Sequence, residues 1–387
     1  MLTPEEQIYN QIEKAENILI AFNADWNGDA IASSLALFNY LKKSGKKVEV
    51  AAWLGPEETS KEKAVAIWNF LPGFDNIQTS LKNLRKFIVS LDISQAVINQ
   101  IKYSVDGQRL NFIISPEKGW FKPEDISTSS SGFKHDLIFV IDTPDLESLG
   151  QIYDSNVEFF YKTTIINIDH QAGNEEFGQI NYLDLNVVST AEIIYNLLKQ
   201  DKSGGLDEDV ATCILAGIIS KTKNFKSANL TPRTLLTSSK LITYGARREE
   251  IISQLYRSRP LPALKLWGKL LNNLQSDNEK RLLWSLLSPD ESESFDAASI
   301  DLTEIIDEII TGVPEAKLIL VAFASPQGDS YRVTAFAAKG VSAIEALKVW
   351  QGVGNHKIAT ASIGVSSEHW NNEVIAPIKA KLDKNFG

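Results

Sequence analysis

Residues 17–45 read N-I-L-I-A-F-N-A-D-W-N-G-D-A-I-A-S-S-L-A-L-F-N-Y-L-K-K-S-G. The apolar run 18–22 has the length and continuity of a strand buried on both faces. It breaks into the polar turn 23–28, and Asp29 then opens a helix whose apolar face carries Ile31, Leu35, Leu37, Phe38 and Leu41. Asp29 suits the N-cap and Gly45 the stop, with Lys42 and Lys43 in the last turn to meet the helix dipole. In an open α/β sheet, ligands gather at the carboxyl ends of strands, so the turn 23–28 marks a candidate site.

Outward from this unit, a helix is expected over 3–15, opened by Thr3, Pro4, Glu5 and Glu6, and a second strand over 47–54. A helix over 57–69 is ended by Leu71-Pro72-Gly73. Residues 83–131 depart from the strand–helix rhythm. Strands over 85–93, 101–105 and 110–115, a tight turn at Asp106-Gly107 and a flexible return over 127–132 describe a β-containing insertion. Two more buried strands follow, 137–141 leading into Asp142-Thr143-Pro144-Asp145 and 163–168 leading into Asp169-His170. Ser189-Thr190-Ala191-Glu192 is a capping box for a helix to about 199, and helices are expected over 207–222 and 231–245.

The pattern stays helical from 247 to 273 apart from Arg259-Pro260-Leu261-Pro262, an expected connector. A smaller α/β domain follows: strand 280–287, acidic loop 288–294, helix 302–310, strand 317–324, turn 326–329, strand 331–337, helix 342–350 and the turn Gln351-Gly352-Val353-Gly354-Asn355-His356. The fold class is therefore α/β, with a parallel-sheet domain at 1–245, a helical connector at 246–275 and a second domain at 276–387.

Composition narrows the function. A chain of 387 residues with 43% apolar and 23% charged residues is an ordinary folded protein of about two domains. No apolar run of about twenty residues and no charged-then-apolar leader is visible, so the expectation is no membrane span and a cytoplasmic location. A net charge of −10 argues against coating long nucleic acid, because such binding draws on phosphate neutralisation. A short anionic ligand in a local basic pocket remains open. The single cysteine, Cys213, lies in an apolar run and reads as a buried structural thiol.

Three strand ends deliver Asp29, Asp142 and Asp169-His170 to one sheet edge. Carboxylates and imidazoles grouped there are ligands of the kind that hold Mn²⁺ or Mg²⁺ for phosphoryl transfer; the plainer alternative is that these acids cap the helices that follow. The motifs N-A-D-W-N-G-D-A-I-A-S-S, D-L-I-F-V-I-D-T-P-D-L-E-S-L-G, I-D-H-Q, S-T-A-E-I-I-Y, A-G-I-I-S-K-T-K-N-F and G-V-G-N-H-K, in this order, resemble the DHH phosphoesterases with a C-terminal DHHA1 domain. That group contains RecJ-type nucleases, oligoribonucleases acting on nanoRNA, and phosphatases of 3′-phosphoadenosine-5′-phosphate. The resemblance covers most of the chain apart from 83–131.

The resemblance implies metal positions at Asp29, Asp142 (the bridging acid) and His170. It also exposes departures. Asn23 and Asn27 stand where the family has a histidine and an aspartate, Gln171 where it has a phosphate-contacting histidine, Lys221 where it has a metal-binding aspartate, and Lys223 where it has a glycine. Neutral amides are poor substitutes for carboxylates around a dication. An ammonium at Lys221 would take the charge role of a cation between Asp29 and Asp142, unless it points to solvent instead. In the second domain Gly352, Gly354 and His356 match the family's phosphate-grasping turn, with a plain helix-to-strand turn as the alternative. Trp26 either stacks on a base at the cleft or fills space left by lost ligands.

The expectation is thus a catalytically impaired DHH-type protein that binds a nucleotide or short oligonucleotide in an interdomain cleft. Its ligand-binding residues are Asn23, Asn27, Gln171, Lys221, Lys223, Gly352, Gly354 and His356, and its remnant catalytic positions are Asp29, Asp142, Asp169 and His170. No cofactor is expected. The alternatives are a working phosphoesterase using Mn²⁺ or Mg²⁺ at Asp29, Asp142 and His170, and a scaffold with a vestigial cleft. A homodimer is compatible with each.

Overall fold

The computed structural model describes residues 2–55, 67–85, 87–129, 132–200, 205–257, 261–277, 279, 281–293, 302, 305–306, 309, 312–338 and 340–386. Most of the helix expected at 57–69, part of the return at 127–132, Arg259-Pro260, Ser294 and most of the helix at 302–310 lie outside the described residues. The chain divides into two compact units, 1–257 and 258–387.

In the first unit the strands, numbered along the chain, are β1 (Asn17–Phe22), β2 (Lys47–Ala51), β3 (Ile77–Gln78), β4 (Ile88–Leu91), β5 (Val97–Asp106), β6 (Arg109–Lys118), β7 (Ile126–Ser129), β8 (Leu137–Ile141), β9 (Thr164–Asp169) and β10 (Ile180–Leu183). Six form a sheet in the order β10-β9-β8-β1-β2-β3, every neighbouring pair parallel. Both faces are covered, which is why β1 and β8 read as unbroken apolar runs. Ile18, Ile20 and Phe22 pack with helices Gly28–Lys43 and Glu208–Lys221 on one face, and Leu19, Ala21, Ile138 and Val140 pack with Phe159 and Phe160 on the other. From β1 the chain runs outward through β2 and β3, then restarts beside β1 with β8 and runs the opposite way. The crevice beyond the carboxyl ends of β1 and β8 is therefore the topological switch point.

Helix Gly28–Lys43 starts one cap earlier than expected. Asn27, not Asp29, is the N-cap: its Oδ1 accepts from Ala30 N at 2.9 Å, and Asp29 lies inside the first turn. The capping box at 189–192 is also modified. Ser189 caps helix Thr190–Leu198, but the Glu192 carboxylate accepts from Val188 N at 3.2 Å. Cys213 is fully buried, as expected. The insertion consists of the antiparallel pair β4–β7 and the hairpin β5–β6, which turns at Gly107 (φ 58°).

The second unit holds a mixed sheet of β11 (Leu274–Ser276), β12 (Leu282–Leu287), β13 (Leu318–Ala324), β14 (Tyr331–Ala337), β15 (Val353–Gly354) and β16 (Ile358–Ile363), ordered β11-β12-β13-β14-β16-β15. Only β12–β13 is parallel. The acidic stretch expected as a loop forms a helical turn, Pro289–Glu293, opened by Ser288 Oγ accepting from Glu291 N. The helix expected over 342–350 is Ala343–Ala346 followed by a 3₁₀ turn, Lys348–Trp350. Strands β3, β10, β11 and β16 and helix Ala376–Phe386 were not foreseen. Three of these five, β3, β10 and β11, are short and lie at sheet edges, where periodicity gives little signal.

Candidate functional site

Asn23 follows β1 directly and Asp142 follows β8 directly, so the sheet places them side by side across the switch point. Asn23 Nδ2 donates to the Asp142 backbone oxygen at 2.6 Å, and Asn23 Oδ1 accepts from Asp25 N at 3.2 Å. Asn27 Oδ1 is committed to the helix cap. Both amides therefore work as struts of the turn. Asp142 has φ 50°, a left-handed conformation that costs energy in a non-glycine residue and is held by the hydrogen bond that Asp142 N donates to Ile168 O.

The acids converge below this turn. Asp29 Oδ2 accepts from Thr190 N at 2.7 Å, and Asp29 Oδ1 accepts from Ala191 N at 3.0 Å and Ser33 Oγ at 3.2 Å. The carboxylate thus occupies the amino end of helix Thr190–Leu198, where free amides and the helix dipole favour negative charge. Thr190 Oγ1 donates to Asp142 Oδ1 at 2.8 Å and lies 2.9 Å from His170 Nδ1, which itself is 3.2 Å from Asp142 Oδ1. Gly217 lets the helices close over this centre: a Cβ there would stand 2.8 Å from Ala191 Cβ and 3.1 Å from Asp29 Oδ1.

Asp169 is buried and belongs to its own loop. Its Oδ1 accepts from His170 N and Gln171 N, and its Oδ2 accepts from Asn174 Nδ2 at 2.8 Å. The sequence reading missed Thr190, Ser33 and Asn174. The S-T-A-E cap was visible, but the second hydroxyl's tertiary role has no local signature.

Burial, then the neighbouring Asp142 charge, pushes the Asp29 carboxyl up to about 7 against the pull of His170, Lys221 and the Thr190 amide. Burial also works against ionised Asp142, but the His170 hydrogen bond, the Lys221 and His170 charges and the Thr190 hydroxyl outweigh it and hold this carboxyl below the usual range. The His170 imidazole is held above its ordinary value because Asp142 and Asp29 overcome the effect of burial. Burial raises Asp169 as well.

A cavity of about 520 Å³ opens over this floor, lined by Asn23, Asn27, Asp29, Gln171, Lys221 and Lys223 among others. Lys221 ends helix Glu208–Lys221 and is exposed. Its charge reaches Asp29, Asp142 and His170, yet it makes no ion pair within 4.0 Å among the described residues. The expected direct pairing of this ammonium with the acids is therefore absent. The acids take their hydrogen bonds from the helix amides, Ser33 and Thr190, and the ammonium lines the cavity above them. Trp26 is buried outside this cavity lining, with its Nε1 donating to Trp53 O at 2.7 Å and its ring edge-on to Phe22 and Phe74. It is a packing residue, and the base-stacking option falls.

Gly352, Gly354 and His356 lie in the second unit. A Cβ on Gly354 (φ 145°) would overlap Ile358 O, and one on Gly352 would stand 2.7 Å from Leu347 Cβ, so close packing of the β15–β16 turn accounts for both glycines. His356 is exposed, with Nδ1 2.9 Å from Ser342 Oγ.

Asp29, Asp142 and His170 offer one ligand atom each within 4.8 Å of one another, the single such group of three or more among the described residues. Asp142 Oδ2 is buried without a hydrogen-bond partner. Oxygen and imidazole donors at this spacing fit one Mn²⁺ or Mg²⁺. A second ion does not fit in the same way, because Asn23 and Asn27 bring neutral amides already bound to the backbone.

The chain is also similar to known proteins in sequence and in fold. The chain is 28% identical over 240 residues to the bifunctional oligoribonuclease and PAP phosphatase NrnA of Bacillus subtilis, covering 61% of this chain and 71% of that one. It is 27% identical over 222 residues to the protein of the same name from Thermus thermophilus, covering 57% and 65%. Among solved structures, an exopolyphosphatase-related protein from Bacteroides fragilis has a TM-score of 0.63 at 16% identity, over 98% of this chain and 96% of that one, a likeness of fold. The family model described as "DHH family, N-terminal domain" matches residues 17–218, and the chain belongs to the DHH family.

Proposed function

We propose that this DHH-family chain binds the phosphate group of a nucleotide or short oligonucleotide in the cavity above Asp29, at a hydrolytic centre reduced from two metal positions to one. The observation that carries this reading is the commitment of Asn23 and Asn27 to backbone hydrogen bonds, opposite a cavity wall that carries Lys221. Two carboxylate-bound cations make an in-line phosphoryl displacement fast by charging both the attacking and the leaving oxygens. With one position lost, grip on phosphate outlasts the power to cut it. The names of the two NrnA relatives support the ligand class, a short oligonucleotide or 3′-phosphoadenosine-5′-phosphate.

Asp29, Asp142 and His170 are the residues that would hold a single cation, which would supply Lewis-acid polarisation of a phosphoryl oxygen. Lys221 then neutralises the anion from the cavity wall, and Gln171 donates to it where a histidine is lost. The unpartnered Asp142 Oδ2 favours a second reading, a slow single-cation phosphoesterase.

One pair of measurements tests both readings. Calorimetric titration with 3′-phosphoadenosine-5′-phosphate and with a trinucleotide should give saturable binding, and phosphate or mononucleotide release in Mn²⁺ should stay at background. Turnover that Asp142→Ala abolishes establishes the second reading. Absence of binding to both ligands removes the first.

A further inference from the structure

The largest group of unexplained apolar side chains lies outside this site, on the insertion that carries the hairpin β5–β6. Of the large hydrophobic residues exposed among the described residues, thirteen fall between Phe87 and Ile126, which a solvated decoration would not concentrate so. Beyond the bulge near Ile98 the register is regular: Ile101 faces Ile114, Tyr103 faces Phe112 and Val105 faces Leu110. Directly paired residues of antiparallel strands share a face, so these six side chains form one apolar surface. The alternating positions, Gln100 with Ser115, Lys102 with Ile113, Ser104 with Asn111 and Asp106 with Arg109, make the opposite face almost wholly polar.

A two-stranded ribbon with one apolar face is marginal in water unless that face is covered. Yet Tyr103 is 74% exposed, Val105 70%, Ile101 60%, Phe112 57% and Leu110 55%. Neither strand pairs with any third strand among the described residues.

We infer that the apolar face of β5–β6 is a homodimer interface whose occupant is the same face of a second copy. Three observations select this occupant. The two strands present nearly the same ladder, Ile–Ile, Tyr–Phe and Val–Leu, so the face is close to self-complementary about an axis near Tyr103 and Phe112, as an isologous contact requires. The charges on the hairpin nearly cancel, Lys102, Arg109 and Lys118 against Asp106 and Glu117 for a net +1, so two copies meet with little repulsion despite a chain charge of −10. At the stated exposures the five side chains leave on the order of 600 Å² open per copy, so pairing would remove roughly 1,200 Å² from water, the lower end of stable specific interfaces.

The full-length chain, followed by sedimentation velocity and by size-exclusion chromatography with light scattering over micromolar concentrations, should be a dimer. Tyr103→Lys combined with Phe112→Lys should weaken the dimer at least tenfold while far-UV circular dichroism and the melting midpoint of the first unit hold. Because Cys213 is buried, Tyr103→Cys would give the one reactive thiol and should form a disulfide-linked dimer on mild oxidation, a readout that survives if the lysine variant misfolds. A monomeric wild type overturns the inference. Hydrogen-exchange protection of β5–β6 in that monomer would assign the face to residues 258–387 of the same chain, and flotation of the monomer with phosphatidylglycerol vesicles would assign it to a lipid surface. A dimer untouched by the lysine pair, with no disulfide from Tyr103→Cys, overturns it too.

Discussion

The Asp29 carboxylate sits on the amino end of helix Thr190–Leu198, 2.7 Å from Thr190 N and 3.0 Å from Ala191 N. An acid in this position serves the fold whether or not a cation is bound. Asp29→Asn would turn an amide NH₂ toward one of these N–H groups and leave a buried donor unpaired. The expected cost is about 1–3 kcal/mol in urea unfolding without added metal. A variant as stable as the parent would show that the helix end does not need the charge.

Asp142 differs, because its Oδ2 is buried with no partner. If the cluster holds one cation, Mn²⁺ binds the folded chain selectively and should stabilise it by about 2.7 kcal/mol at a hundredfold excess over its dissociation constant, so that the melting midpoint rises with the logarithm of Mn²⁺ concentration. Asp142→Asn should remove that rise, and analysis of the loaded protein should give one ion per chain. Two ions per chain would contradict a centre in which Asn23 and Asn27 are struts.

Lys221 and Lys223 both line the cavity over these acids. Charged hydrogen bonds to phosphate contribute about 1.5–3 kcal/mol when formed, so Lys221→Ala should weaken nucleotide binding by roughly tenfold or more. The effect should shrink as salt rises, since the amine is exposed. Calorimetry at two ionic strengths reads both, and unchanged affinity would place the phosphate elsewhere.

Trp26 is decided by stability and not by binding. Its ring fills the space between Phe22 and Phe74, and its N–H satisfies Trp53 O. Trp26→Ala should cost about 3–5 kcal/mol of folding free energy. A stable variant that loses only nucleotide affinity would restore the stacking role.

Much of this was legible because the first unit obeys local rules. The run 18–22, the turn and the helix after it give β1, the switch-point crevice and the place of Asn23; Asp106-Gly107 gives the hairpin. What escaped is tertiary. Asp29 looks like a cap for its own helix because local spacing cannot show that its oxygens reach Thr190 and Ala191, more than 160 positions later. The motif position of Lys221 suggests a cation between Asp29 and Asp142 but cannot distinguish it from an ammonium that points to solvent. Its side chain lines the cavity, while the acids take hydrogen bonds from the Thr190 and Ala191 amides and the Ser33 and Thr190 hydroxyls. Gly352 and Gly354 resemble a phosphate loop in sequence, and only the close approach of Leu347 and Ile358 reveals their packing role.

His135 offers a separate test of how burial sets pH response. Its side chain is 2% exposed, Nε2 lies 2.9 Å from Glu49 Oε2, and Nδ1 has no hydrogen-bond partner. Lys134 also pairs with Glu49, and Phe159 packs beside the ring. Burial dominates and lowers the imidazole below its ordinary 6.5, against the pull of Glu49. The unfolded chain then takes up a proton at higher pH than the folded one. The His135 contribution to stability is therefore complete above about pH 6.5 and is lost as pH falls from there through the folded value. Glu49, lowered mainly because Lys134 and His135 outweigh its burial, adds an acid loss only below its ordinary value of 4.5. His170, raised, acts with the opposite sign, but it is common to parent and variant and cancels in their difference. As pH drops below 6.5 the difference in urea midpoint between parent and His135→Asn should therefore move in favour of the variant, whatever the direction of the shared contribution from the raised Asp29, Asp169 and His170. Parallel profiles would mean that the imidazole gains as much from Glu49 as it loses by burial.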